Sequence, residues 1–335
     1  MKKLLLFSVA VLAFCACSND AVVSDSNAVV EPKEISFTPL IKPNTRAAIA
    51  DATFTPTTMK VTAYNAKMPG VFFDATTFTK DDATSKWKAS KYWPLAPATI
   101  NFLAIANANA DNEAGVTWGT NKADQVTIVM SDNSTAQRDL VYACGTGSVT
   151  QSGNTLSFPE NVPMTFYHAQ AWVKFTVKAN SATEASAITV NSITLNSVSC
   201  DGTFTVTHAN WDKTKAQRDA DGSLNGSVSG VWSAYNTNVG NKAAVKASGY
   251  SALSTSVQDY GDLMVVPDQG MASFTINYTL DEKNYNFTYT PASTTLAQKT
   301  KYVYNIIFHL HEILIAPTVN NWADGGSTNI NLPQS

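Results

Sequence analysis

Three kinds of residue in this chain could do chemistry. The first is Cys17, in the run Leu12-Ala13-Phe14-Cys15-Ala16-Cys17-Ser18-Asn19-Asp20. It follows a basic start, Lys2 and Lys3, and an apolar stretch from Leu4 to Phe14. That is the pattern of a secretory signal with a small residue, Ala16, ahead of a thiol able to accept a diacylglyceryl group. Cys15 is a weaker rival acceptor. The apolar stretch is too short for a stable membrane span. The second is Arg46, in Lys42-Pro43-Asn44-Thr45-Arg46-Ala47-Ala48. It reads as an exposed loop, where a trypsin-like protease would find the bond between Arg46 and Ala47. The third is the pair His309 and His311, two apart on an apparent strand and so on one face. Two imidazoles can begin a metal site, but Glu312 points the other way and no third ligand is evident. Histidines of a strand face or core are the better reading; His168 and His208 are isolated, and packing is the simpler role for His168.

Other chemistry has little support. There is no G-x-S-x-G elbow, H-E-x-x-H or P-loop, and no C-x-x-C pair beyond the signal. Asp81-Asp82, Asp268 and Asp281-Glu282 are scattered loop acids, sparser than calcium requires. A hydrolase with two distant carboxylates stays open as a distant reading. The seven tryptophans could include a sugar-stacking platform, although core packing explains most of them better. Cys144 and Cys200 could pair in an oxidising compartment, and as isolated cysteines they read better as small buried hydrophobes. No cofactor, metal or catalytic residue is expected.

The elements that must position these residues are strands. Of 335 residues, 44% are hydrophobic and only 15% charged, with a net charge of −3. That allows sizeable cores and gives no electrostatic case for a nucleic-acid partner. Residues 18–33 read as a polar tether. Ile35-Ser36-Phe37-Thr38 alternates, so Ile35 and Phe37 share a face. Further alternating or apolar runs are Met59–Tyr64, Ile100–Ile105, Val126–Met130, Leu140–Ala143, Ala171–Val177 and Ile188–Val198. After these come Phe204–Val206, Leu263–Val266, Phe274–Tyr278, Tyr285–Tyr289 and Tyr302–Leu310. Asp281-Glu282-Lys283-Asn284 reads as a hairpin turn. Residues 209–260 are weakly patterned and read as long loops. No stretch has a sustained helical period. The economical organisation is a signal over 1–16 and a tether with a first strand over 17–46. An N-terminal β-sandwich over 47–200 and a C-terminal one over 201–335 complete it.

The same residues carry a family resemblance. The signal ending in Cys17-Ser18-Asn19-Asp20, the Asn44-Thr45-Arg46-Ala47 loop and Lys91-Tyr92-Trp93-Pro94 are part of it. So are Asp139–Ala143, Met164–Ala171, Gly202-Thr203-Phe204, Lys301–Ile306 and Val319-Asn320-Asn321-Trp322. In order and spacing the chain resembles the fimbrillins of Bacteroidales, subunits of lipoprotein-derived (type V) pili. The resemblance implies an all-β fold of two transthyretin-like Greek-key β-sandwich domains in tandem. It implies export as a lipoprotein lipidated at Cys17 and anchored in the outer membrane. An arginine-specific, trypsin-like protease then cuts after Arg46, leaving Ala47 first. The lost piece includes the strand of Ile35 and Phe37, and a neighbour's C-terminal strand fills the groove.

The physics of such an exchange is general. Removing a strand exposes unpaired backbone groups beside an apolar slot, and a strand from another chain answers both. Head-to-tail contacts of this kind need not close, so they grow filaments. In this chain the donor candidates are Ile313-Leu314-Ile315 through Val319 and Trp322, and the tail with Ile330 and Leu332. The expected function is a structural and adhesive subunit of a cell-surface fimbria. Its partners would be other fimbrial subunits, in a homo- or hetero-polymer, and host or bacterial surface ligands. The alternative is an anchored surface lipoprotein that binds glycans.

Overall fold

The chain was analysed as a computed structural model. It describes residues 30–40, 57–65, 71–107, 116–118, 125–130, 138–208, 228–235, 239–270, 273–292, 295–309, 313–321 and 328–329. Contacts divide the chain into Met1–Glu31 and Pro32–Ser335; all that follows concerns the second unit. In chain order its first strands are β1 (Glu34–Leu40), β2 (Thr58–Asn65), β3 (Val71–Asp81), β4 (Lys86–Tyr92) and β5 (Ala98–Asn107). Next come β6 (Val116–Trp118), β7 (Gln125–Met130), β8 (Leu140–Ser152), β9 (Thr155–Ser157) and β10 (Val162–His168). After β11 (Ala171–Ala179) a short helix, α1 (Ala182–Ala187), leads to β12 (Ile188–Val198). The remainder is β13 (Gly202–His208), β14 (Val228–Tyr235), β15 (Gly240–Ala243), β16 (Val245–Lys246) and β17 (Gln258–Val265). Then follow β18 (Ser273–Leu280), β19 (Lys283–Tyr289), β20 (Thr300–Phe308), β21 (Ile313–Asn321) and β22 (Thr328–Asn329). The fold is all-β, as the alternation predicts.

The first core lies inside a ring of strands. Pairing runs β10-β1-β4-β3-β2-β5-β8, and β8 pairs back to β10. Alternate residues point inward, among them Ile35, Phe37, Val61, Phe78, Trp87, Phe102, Ala104, Val141 and Met164. Two glycines let β8 approach β10. A Cβ on Gly147 would lie 2.3 Å from the Trp93 ring, and one on Gly145 would lie 2.8 Å from both Met164 Sδ and a Val162 methyl.

One outer flank of this ring is also covered. Leu103 and Ile105 of β5, with Leu140 and Tyr142 of β8, pack against Phe204 and Val206 of β13. β13 belongs to a four-stranded sheet, β14-β13-β7-β6. β5 is therefore buried on both faces, which explains its nearly continuous apolar run. The segment expected as long loops, 209–260, in fact carries β14, β15, β16 and the start of β17. β15 and β16 are only four and two residues long, so they leave little periodic signal.

The second core lies between a six-stranded sheet, β16-β17-β11-β20-β21-β22, and a four-stranded one, β15-β12-β18-β19. β11 is central, antiparallel to β17 and parallel to β20. Its residues alternate buried and half-buried along its length, with Val173, Phe175 and Val177 facing the core. Helix α1 carries the chain from one sheet to the other. Ser181 caps it, its hydroxyl accepting from the Glu184 N–H at 3.3 Å. Six residues are too few for a visible helical period. Described buried residues of the first core run to Met164 and those of the second begin at Ala171, while Phe204 and Val206 of β13 pack back on the first ring's flank. Alternation shows which face of β11 and β12 is buried but not which sheet receives it.

Candidate functional site

β1 is the element on which the sequence reading places function. Ile35 and Phe37 lie two apart, point to one face and are fully buried in the first core. Phe37 meets Phe78 and Phe102 edge-on, with ring centroids at 4.8 and 5.0 Å. Phe102 also meets Trp93 edge-on at 5.8 Å. Edge-to-face packing of this kind adds to the burial itself.

β1 is held on both sides. It runs parallel to β10, with Phe37 opposite Val162 and Thr38 opposite Pro163. It runs antiparallel to β4, with Ser36 opposite Lys88 and Phe37 opposite Trp87, after a register shift between Glu34 and Ser36. Polar groups fix its position. Asn161 Nδ2 donates to Thr38 Oγ1 at 2.8 Å, and Ser36 Oγ donates to the Glu160 carbonyl at 3.1 Å. The Ser90 N–H donates to Glu34 Oε1 at 2.9 Å, and the Trp93 N–H donates to the Lys33 carbonyl at 2.9 Å. Lys86 Nζ on β4 reaches Glu160 Oε1 beside β10 at 3.2 Å, joining the two flanks of β1. That pair is solvent-exposed and adds little.

The arrangement holds β1 by strand pairing on both edges and by burial of two side chains. Ile35 and Phe37 each contribute about 1.5–3 kcal/mol by burial. Without β1, β4 and β10 would face each other across unpaired backbone groups, each costing about 1–3 kcal/mol if left buried and unmet.

The other expected site residues are distributed as follows. Cys17, Arg46 and Ala47 lie outside the described residues, as do Ile330 and Leu332. The described part of the C-terminal donor candidate lies on its own sheet. β21 pairs along its whole length with β20, and Ile313 and Ile315 pack on the second core. β22 pairs with β21, Thr328 opposite Val319 and Asn329 opposite Thr318. Cys144 and Cys200 form no disulfide with each other; Cys144 lies beside the first core's outer flank and Cys200 within the second core. Burial pushes their thiols up to about 11 and about 12.

His168 is paired, Nδ1 lying 2.8 Å from Asp139 Oδ1 where β10 meets the start of β8. His309 is half-buried just past β20, and His311 lies outside the described residues. Among the described residues no group of three His, Cys, Asp or Glu could hold a metal ion. Trp87 and Trp93 are buried in the first core. The Trp232 indole N–H donates to the Ala169 carbonyl at 2.6 Å. The Trp172 indole N–H donates to Asp262 Oδ2 at 3.1 Å, and Lys301 Nζ lies 3.7 Å from that ring's centroid.

The alternation search misses β3, β4 and β10, which complete the β1 slot. β4 sends only Trp87 fully inward, and Lys, Ala and Ser fill most of the rest. A signal was nevertheless present. Phe78 and Trp87 flank the turn formers Asp81-Asp82-Ala83-Thr84-Ser85, and Ser85 has φ +54°.

Comparison with known proteins agrees with this architecture. A candidate cell-adhesion protein from Bacteroides uniformis has 14% identity and a TM-score of 0.53, covering 86% of this chain and 99% of its own. Another, from Bacteroides ovatus, has 15% identity and a TM-score of 0.54, covering 87% and 98%. At such identities the likeness shows a shared fold. No curated protein matches the chain. The fimbrillin-like family matches residues 45–322, most of the chain, and the protein belongs to that family.

Proposed function

We propose that this protein is a structural and adhesive subunit of a cell-surface fimbria, without catalytic activity. It is exported as a lipoprotein acylated at Cys17, held at the outer membrane, matured by cleavage after Arg46 and assembled by strand exchange. The observation that carries this reading is β1 itself. Two fully buried side chains sit on a strand clasped between β4 and β10. In sequence, β1 is joined to the ring only through the segment that contains Arg46. A cut there turns an internal strand into a separable one. The rest of the protein then offers a slot that another subunit's strand can fill. Family membership supports the same reading, including two tandem transthyretin-like sandwiches as the finer description of the fold. Among the described residues no helix is long and apolar enough to cross a membrane, and the lipid supplies the anchor in this account.

The test is Arg46→Ala beside the wild-type chain. An arginine-specific protease should shorten the wild type to a start at Ala47 and permit assembly with fimbrial partners. The variant should stay full-length and unassembled with its fold intact by circular dichroism. Assembly of an uncut variant would refute the maturation route. The glycan-binding alternative keeps its N-terminal strand and gains no platform from Trp87 or Trp93, whose rings are buried.

A further inference from the structure

We infer that the β1 slot selects a donor strand from a different subunit, one carrying a branched aliphatic, a small hydroxyl residue, an aromatic and a second hydroxyl residue in succession. This rests on the strand-exchange reading above and specifies its partner. The occupant in place shows what the slot accepts. Ile35 and Phe37 are both fully buried, and the Phe37 ring lies edge-on to both Phe78 and Phe102. A hydrocarbon without a ring would leave those two faces unmatched and a void between them. Ser36, on the opposite face, is only 6% exposed and donates to the Glu160 carbonyl. Its position therefore admits little more than a hydroxymethyl group. Thr38 supplies the hydroxyl that accepts from Asn161 Nδ2 at 2.8 Å. β1 runs parallel to β10 and antiparallel to β4, and a donor that reproduces its side-chain contacts runs the same way.

This chain's own tail matches the slot poorly. Aligned on its two apolar residues, Ile330-Asn331-Leu332-Pro333 falls on Ile35-Ser36-Phe37-Thr38. Ile330 suits the first pocket. Leu332 brings no ring to Phe78 and Phe102. Asn331 is larger than the buried serine and brings an amide that needs its own partners. Pro333 has no hydroxyl for Asn161. The other apolar C-terminal run, Ile313-Leu314-Ile315, is committed to β20 and the second core. Neither of these C-terminal runs is therefore a good donor for a cut copy, and the slot calls for a strand from a different subunit.

The experiment uses the full chain cut with an arginine-specific protease and exposed to three fluorescent peptides in excess. They are residues 34–40, residues 328–335, and residues 328–335 carrying Asn331→Ser, Leu332→Phe and Pro333→Thr. Incorporation is read by anisotropy and native mass spectrometry. The first and third peptides should enter the slot, the unaltered tail peptide should enter at least about tenfold more weakly, and the cut chain alone should form no ladder. Equal uptake of the altered and unaltered tail peptides, or a ladder formed by the cut chain alone, would overturn the donor inference and leave strand exchange standing. If the chain is cut but even residues 34–40 cannot re-enter, strand exchange itself fails, and this inference with it.

Discussion

Phe37 concentrates the residue-scale argument, because its ring joins β1 to the aromatic side chains of β3 and β5. Phe37→Ala should destabilise the uncut protein by about 3–5 kcal/mol, measured by urea denaturation; a loss under about 1 kcal/mol would mean that the slot collapses easily. Cys144 and Cys200 give a second residue-level expectation. Burial raises both thiols, to about 11 and about 12. At pH 8 about one Cys144 in a thousand is therefore thiolate, and fewer at Cys200. Neither should react with iodoacetamide in the native state, and both should react in denaturant; mass spectrometry distinguishes these. Asp81 provides the pH dependence. Its carboxylate accepts from Lys88 Nζ, the Thr84 hydroxyl and the Ala83 N–H, which hold its pKa down at about 2 instead of 3.8. A depressed carboxylate pKa contributes stability above its ordinary value, lost as pH falls through the folded value. The β3–β4 turn should thus be insensitive to pH above about 4 and weaken between about 4 and 2. Asp81→Asn should remove that dependence in an acid titration followed by hydrogen exchange.

At the scale of elements, β1 has strand partners on both sides, and Ile35 and Phe37 are out of water. Cleavage after Arg46 should therefore not release it spontaneously. Native mass spectrometry of the cut protein should find the N-terminal piece still bound, leaving when denaturant or a competing strand is added. Immediate loss on cleavage would show that the clasp of β4 and β10 is weak. The β18–β19 hairpin shows how well a local signal can be read. Asp281 and Glu282 both have positive φ, +48° and +63°, as a two-residue type I′ turn demands. Glu282→Gly should stabilise the protein by about 0.5–1 kcal/mol in thermal denaturation, because glycine takes that conformation without strain. That turn was legible from Asp281-Glu282-Lys283-Asn284, and Ile188–Val198 was legible to its ends from its alternation. β4 was not, since a strand sending one tryptophan inward among lysines and hydroxyl residues hardly departs from loop composition. β16, a two-residue strand, carries no period at all.

For the whole molecule, sequence indicated strands and a buried face on Ile35 and Phe37 but not the ring that encloses it. Ile35 and Phe37 announce a buried face. Nothing local to them says that β10, far along the chain, lies on one side and β4 on the other. The same limit holds for β11, which alternates identically whichever sheet it joins. Long-range pairing is a property of the assembled chain, and a period of two cannot encode it. Family membership and the β1 slot now join in one account, in which a subunit is stored with its own strand in the groove and released for assembly by proteolysis. The most direct test is the N-terminus of the protein isolated from surface filaments, determined by mass spectrometry. The account predicts a chain beginning at Ala47, with the peptide containing Ile35 and Phe37 absent. A chain beginning at acylated Cys17, with Ile35 and Phe37 still in place within an assembled filament, would contradict it.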